Sequence, residues 1–91
     1  MAKELTKEEA EKIKADVIVD ARGQSCPGPM LEAKKALAAK VKPGQILELL
    51  SSDHGTRNDL ETMCERSKGK YEYMGYLDTG GYDRHFVKRV K

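Results

Sequence analysis

The feature that most limits how this chain can fold is a Pro-Gly-Pro triplet, Pro27-Gly28-Pro29, directly after Cys26. It separates two stretches of different period. Upstream, Val17-Ile18-Val19 is a β-branched run that reads as strand. Downstream, Met30, Ala33, Leu37 and Val41 recur at helical spacing. Proline holds φ near the helical value and has no N–H, so it suits the first turn of a helix. The residue before a proline is pushed out of the α region. The triplet thus predicts strand, rigid turn and helix in direct succession, with Cys26 at the helix mouth. It is either the N-cap or, if the helix starts at Pro29, a residue or two outside it. A thiol there meets the positive end of the helix dipole, which raises its thiolate fraction. The effect is limited: as an N-cap, Cys26 finds only the Gly28 N–H free to point at it. Pro27 and Pro29 hold the sulfur's pose, and Gly28 adds no side chain to block an approaching group. A buried cysteine serving as a small hydrophobe is the competing reading.

The rest of the chain extends the same alternation. Before the first strand (Asp16 to Ala21), Thr6 and Glu9 fit a capping box, with Leu5 and Ala10 as a hydrophobic staple. The apolar stripe there, Leu5, Ala10 and Ile13, is thin, so the expected helix is short, weakly held and frayed. After the cysteine turn, the helix from Met30 to about Lys40 stops at Pro43-Gly44. Gln45 to Ser51 is a second strand with a near-continuous apolar centre, as a strand buried on both faces would have. A second core helix runs from about Thr56 to Ser67, with Leu60, Met63 and Cys64 on one face, and ends at Gly69. Tyr71 to Asp78 and Tyr82 to Val90 form a hairpin about Thr79-Gly80-Gly81. The order is β-α-β-α-β-β. Right-handed crossovers put both core helices on one face of a mixed four-stranded sheet. The fold class is therefore a two-layer α/β sandwich plus a short N-terminal helix, divided as a 1–15 extension and a 16–91 domain.

Ninety-one residues suffice for one modest core. Charged residues make up 35% and mean hydropathy is −0.69, which predicts a soluble protein. No apolar run reaches membrane-span length and no signal-peptide pattern opens the chain. With two cysteines, the expectation is a reducing cytoplasm and free thiols. A net charge of +2 is too small to indicate nucleic acid. The basic run Arg84 to Lys91 reads as a strand with a solvated cationic face. Cys64 reads as core packing. His54, His85 and the two cysteines form no recognised metal-ligand spacing, and no cofactor is indicated. Tyr71, Tyr73, Tyr76 and Tyr82 fit sheet packing before ligand stacking. Arg22, close to the cysteine, is a candidate contact for an anionic sulfur species or a partner, with a plain solvated arginine as the alternative.

This arrangement resembles the TusA family of small sulfur carriers, also called SirA-like, over about residues 17–90. The resemblance rests on several residue groups. They are the strand Val17 to Asp20, the pattern Asp20-x-x-Gly23-x-x-Cys26-Pro27-x-Pro29, Pro43-Gly44, Ser52-Asp53, and Asp59-Leu60 with Cys64. It departs at Glu61, where many members have proline. The resemblance implies that Cys26 accepts sulfane sulfur as a persulfide and passes it on, supported by Pro27, Gly28 and Pro29. It implies a sulfur-donor protein, such as a cysteine desulfurase or rhodanese, and an acceptor sulfurtransferase as partners, with no direct nucleic-acid contact. The alternative is a non-catalytic interaction or RNA-binding module of the same fold, for which the basic C-terminal strand is the argument.

Overall fold

The computed structural model describes residues 3–24 and 28–91. Among them the elements are α1 (Lys7–Lys12), β1 (Val17–Asp20), α2 (Gly28–Ala39), β2 (Ile46–Ser51), α3 (Gly55–Arg66), β3 (Tyr71–Asp78) and β4 (Asp83–Arg89). The sheet order is β1-β2-β4-β3. β1 runs parallel to β2, with Val19 opposite Leu49. β4 is antiparallel to both of its neighbours. Successive strand side chains point to opposite faces. Leu47, Leu49 and Val87 face α2 and α3, where they join Ala33, Leu37, Val41 and Leu60 in the main core. This is the mixed-sheet sandwich with both core helices on one face.

The other face carries Ile46, Phe86, Met74 and Leu77, and it is covered by Leu5 and Ala10 of the N-terminal segment. That segment is held more firmly than its thin stripe predicts. The Thr6–Glu9 capping box forms in both directions. The Leu5 N–H donates to Tyr76 O at 2.7 Å, and the Tyr76 N–H donates to Lys3 O at 2.9 Å. This backbone pairing covers part of the open edge of β3. A bulge at Met74-Gly75 makes it possible. Gly75 has φ +136°, and a Cβ there would lie 2.6 Å from Lys3 O, so the approach requires glycine.

Two helix starts bear on the site. α2 begins at Gly28 rather than Met30. Cys26 therefore precedes it by two positions in the chain. Cys26 and Pro27, with Ser25, lie outside the described residues. α3 begins at Gly55, with His54 in the N-cap position, and runs unbroken through Glu61.

The C-terminal strand corrects one expectation. Arg84 is forked onto Glu48, at 3.2 and 3.1 Å. Arg89 Nη1 donates to Leu37 O at 3.1 Å and to Val41 O at 2.7 Å, tying β4 to the end of α2. A cation on those carbonyls also opposes the negative end of the helix dipole. The two arginines are thus used to hold the fold. Their acceptors lie 36 to 52 residues away, beyond what a local charge pattern reveals.

Candidate functional site

The parallel pairing of β1 and β2 brings the β1–α2 and β2–α3 loops to one end of the sheet. β4 runs back from that same end, because Asp83 lies opposite Ser51, so the β3–β4 turn meets them there. Both α2 and α3 start here and present their positive dipole ends. The loops are fastened together. The Gly23 N–H donates to Ser52 Oγ at 2.9 Å. Gly23 has φ +83°, a turn that other residues adopt at a cost. The Arg22 guanidinium lies over the Tyr82 ring, 4.8 Å from its centre.

Arg22 is itself paired. Its backbone N–H donates to Asp20 Oδ1 at 3.0 Å, and its Nε and Nη2 donate to the two carboxylate oxygens at 2.9 and 2.8 Å. These bonds lower the Asp20 pKa to about 2. The charge of Arg22 is thus paired with Asp20, and its planar face lies over Tyr82.

Gly23, Gln24, Ser52, Asp53 and His54 line an open cleft of about 420 Å³ beside the cysteine-bearing loop. Asp53 Oδ1 accepts the Gly55 N–H at 2.8 Å, so Asp53 does the capping at this end of α3. His54 makes no side-chain cap bond. Its Nδ1 stands 3.6 Å from Asp83 Oδ2, with the His54 side chain 70% and Asp83 1% exposed. Arg57 grips both Asp83 oxygens, Nε to Oδ2 at 2.7 Å and Nη2 to Oδ1 at 2.8 Å, and stacks on Tyr76 at 4.2 Å. Neither Arg57 nor Asp83 stands out in the sequence, because 26 residues separate them.

The remaining candidates fall into the core. Cys64 is 8% exposed among Leu60 and Leu37, and burial pushes its thiol up to about 11. His85 is fully buried, with Nδ1 2.7 Å from the Tyr73 hydroxyl. Tyr73 and Tyr76 flank the His85 ring. Of the sequence candidates, the structure therefore brings Arg22 and Tyr82 together with the His54 loop, and it separates Cys64 and His85 from them. Among the described residues, no group of three or more His, Cys, Asp or Glu is placed to hold a metal ion. A larger groove of about 520 Å³ separates α2 from α3, with Met30 and Met63 on its walls and Lys34 and Arg66 at its rim.

Such an arrangement is that of a small α/β domain whose described loops border an open cleft at one end of the sheet. The chain belongs to the TusA family, whose description is sulfurtransferase TusA and which matches residues 17–89. It is similar to the sulfur carrier protein TusA of Allochromatium vinosum, 32% identical over 74 residues that cover 81% of this chain and 93% of that one. It is also similar to the Bacillus subtilis protein YrkF, 36% identical over 77 residues, which are 85% of this chain but 40% of the relative. The crystal structure of a SirA-like protein from Desulfitobacterium hafniense superposes with a TM-score of 0.64 at 29% identity, covering 82% of this chain and 99% of that one. No helix among the described residues is long and apolar enough to cross a membrane.

Proposed function

We propose that the protein carries sulfane sulfur on Cys26 as a persulfide and hands it to an acceptor protein. The observation that supports this reading is the burial of the other cysteine, Cys64. The loop bearing Cys26 is moored at the open end of the sheet through Gly23 and Ser52, whereas Cys64 is sealed in the core with its thiol pushed up to about 11. Membership of a sulfur-carrier family supports the same assignment.

The chemistry is thiol–persulfide exchange. The Cys26 thiolate attacks the outer sulfur of a donor persulfide, a new S–S bond forms, and the donor sulfur leaves as thiolate. A second displacement, by an acceptor cysteine, discharges Cys26. Pro27, Gly28 and Pro29 set the pose of the sulfur. The start of α2 favours the anionic forms. Arg22 acts as a contact for the incoming partner through its exposed edge. The donor is a protein such as a cysteine desulfurase or rhodanese, the acceptor a sulfurtransferase, and residues 1–15 are an extension appended to the carrier domain. The engagement of Arg84 and Arg89 of the basic strand within the fold weighs against the RNA-binding alternative.

Incubation with a persulfide donor followed by intact-mass measurement tests the proposal. Wild type should gain one sulfur, Cys26→Ser should gain none, and both should stay folded. Sulfur gained by the serine variant would overturn it.

A further inference from the structure

We propose that the open edge of β1, with the flank of α2 beside it, is the surface on which a second copy of this chain docks. A two-fold axis perpendicular to the sheet would join two copies through antiparallel β1 strands. The two edges of the sheet are treated unequally. The outer side of β3 is covered in part by the chain's own N-terminal segment, through Lys3 and Leu5. β1 is the other outer strand, and among the described residues no strand pairs with its free side. Such an edge offers its N–H and C=O groups to another strand. Val17 and Val19 turn to the core, so Ile18 turns to the opposite face. There it is 62% exposed, more than any other large apolar side chain among the described residues.

The geometry admits a copy. Beside the edge runs a cleft of about 370 Å³, walled by Ile18, Val19 and Asp20 of β1 and by Glu32, Ala36 and Lys40 along α2 and its end. α2 packs over both β1 and β2. Two such helices across the axis are antiparallel and about two strand spacings apart, roughly 10 Å, the distance at which helices pack. Opposed residues of antiparallel strands share a face, so the axis passes through Ile18 or Val19. Either register makes the two Ile18 side chains opposite or diagonal neighbours.

Charge selects the occupant. Glu32, Ala36 and Lys40 follow one another at intervals of four, on one stripe of the helix. Neither Glu32 nor Lys40 is in an ion pair among the described residues. Antiparallel helices that cross at Ala36 place Glu32 of each copy opposite Lys40 of the other. One pattern thus supplies two identical pairs, which is the self-complementarity an isologous dimer requires. A partner of a single charge sign would be opposed at one end of the stripe. Lys35, near the axis, has Glu32 of its own helix at three positions' distance. At the strand ends, Asp20 is answered by Arg22 and Asp16 accepts the Ile46 N–H. Antiparallel pairing sends the loop ends of the two copies in opposite directions, so the cleft at Gly23, Ser52 and His54 stays open in each. The strand is only four residues long, so association belongs with small, concentration-dependent interfaces.

The test is sedimentation velocity at low salt, from about 10 μM to about 1 mM, with hydrogen exchange on the same samples. Wild type should pass from monomer to dimer over that range, and exchange of the β1 amides should slow as it does. Ile18→Lys adds a charge at an already exposed position and should abolish association without unfolding the chain. Glu32→Lys and Lys40→Glu should each weaken the dimer about ten-fold. The double variant Glu32→Lys/Lys40→Glu restores complementarity and should return to within about three-fold of wild type. A wild-type monomer at every concentration overturns the proposal and leaves β1 to a strand of some other protein. A dimer indifferent to Ile18→Lys and to both single charge reversals overturns this face as its interface.

Discussion

Cys64 sits between α3 and the sheet, with Leu60 one turn away, and burial makes its thiolate costly. Cys64→Ser places a hydroxyl on that face, at a cost of roughly 1–3 kcal/mol unless it bonds back to the helix. For a domain of this size that corresponds to a fall in Tm of several degrees or more. Sulfur loading on Cys26 should persist in the variant, and its loss from a folded protein would mean that the wrong cysteine has been assigned. Pro29 is also more than a local stiffener, since its ring is fully buried. Pro29→Ala removes two buried ring carbons and frees the unfolded chain, so about 2 kcal/mol of stability should be lost. Transfer rates should fall further than stability alone explains, because small misplacements of a reacting atom are costly. Thermal unfolding and single-turnover transfer, measured on the same sample, separate the two effects.

At the scale of elements, the N-terminal segment is where structure adds most to sequence. The capping box was legible because Thr6 and Glu9 are three residues apart. Docking on the far face of the sheet was not, because it depends on Lys3 and Leu5 meeting a bulge far along the chain, at Met74-Gly75. Gly75→Ala tests that docking. The new Cβ would collide with Lys3 O and the Leu5 side chain, on backbone that only glycine adopts freely. Hydrogen exchange at the Leu5 and Tyr76 amides should accelerate by at least ten-fold, while amides of β1 and β2 keep their protection. Unchanged exchange at Leu5 would show that the segment does not depend on Gly75. The same contrast governs the rest of the fold. Strand and helix order followed from period and from Pro and Gly positions, as with Leu37 and Val41, both buried where the spacing put them. The partners of Arg57, Arg84 and Arg89 did not, since polar pairs far apart in sequence leave no periodic trace. The motif Cys26 to Pro29 was legible in the sequence, whereas the approach of His54 to Asp83 depends on loops far apart in the chain.

For the molecule as a whole, His85 sets how stability should respond to acid. It is fully buried behind Tyr73 and Tyr76, and burial pushes its pKa down to about 4. Protonation would put an N–H on both ring nitrogens. Nδ1 has the Tyr73 hydroxyl, whereas Nε2 meets no hydrogen-bond partner among the described residues. A charged ring there is unfavourable. In the unfolded chain the same imidazole takes up a proton near pH 6.5. Below that pH the unfolded state binds more protons than the folded state. The stabilising contribution is complete above about pH 6.5, declines as pH falls, and is gone below about 4. Its size is about 3 kcal/mol over that window. Asp78 and Glu9 are held below their ordinary range by the Gly80 N–H and the Thr6 N–H respectively, so their losses come at lower pH and do not obscure it. Urea unfolding at pH 7.5, 5.5 and 4.5 should give a steadily falling free energy, most of it lost before carboxylates protonate. A flat profile down to pH 4.5 would mean that His85 finds a partner for its proton on folding, and that the Tyr73–His85 pair tolerates charge.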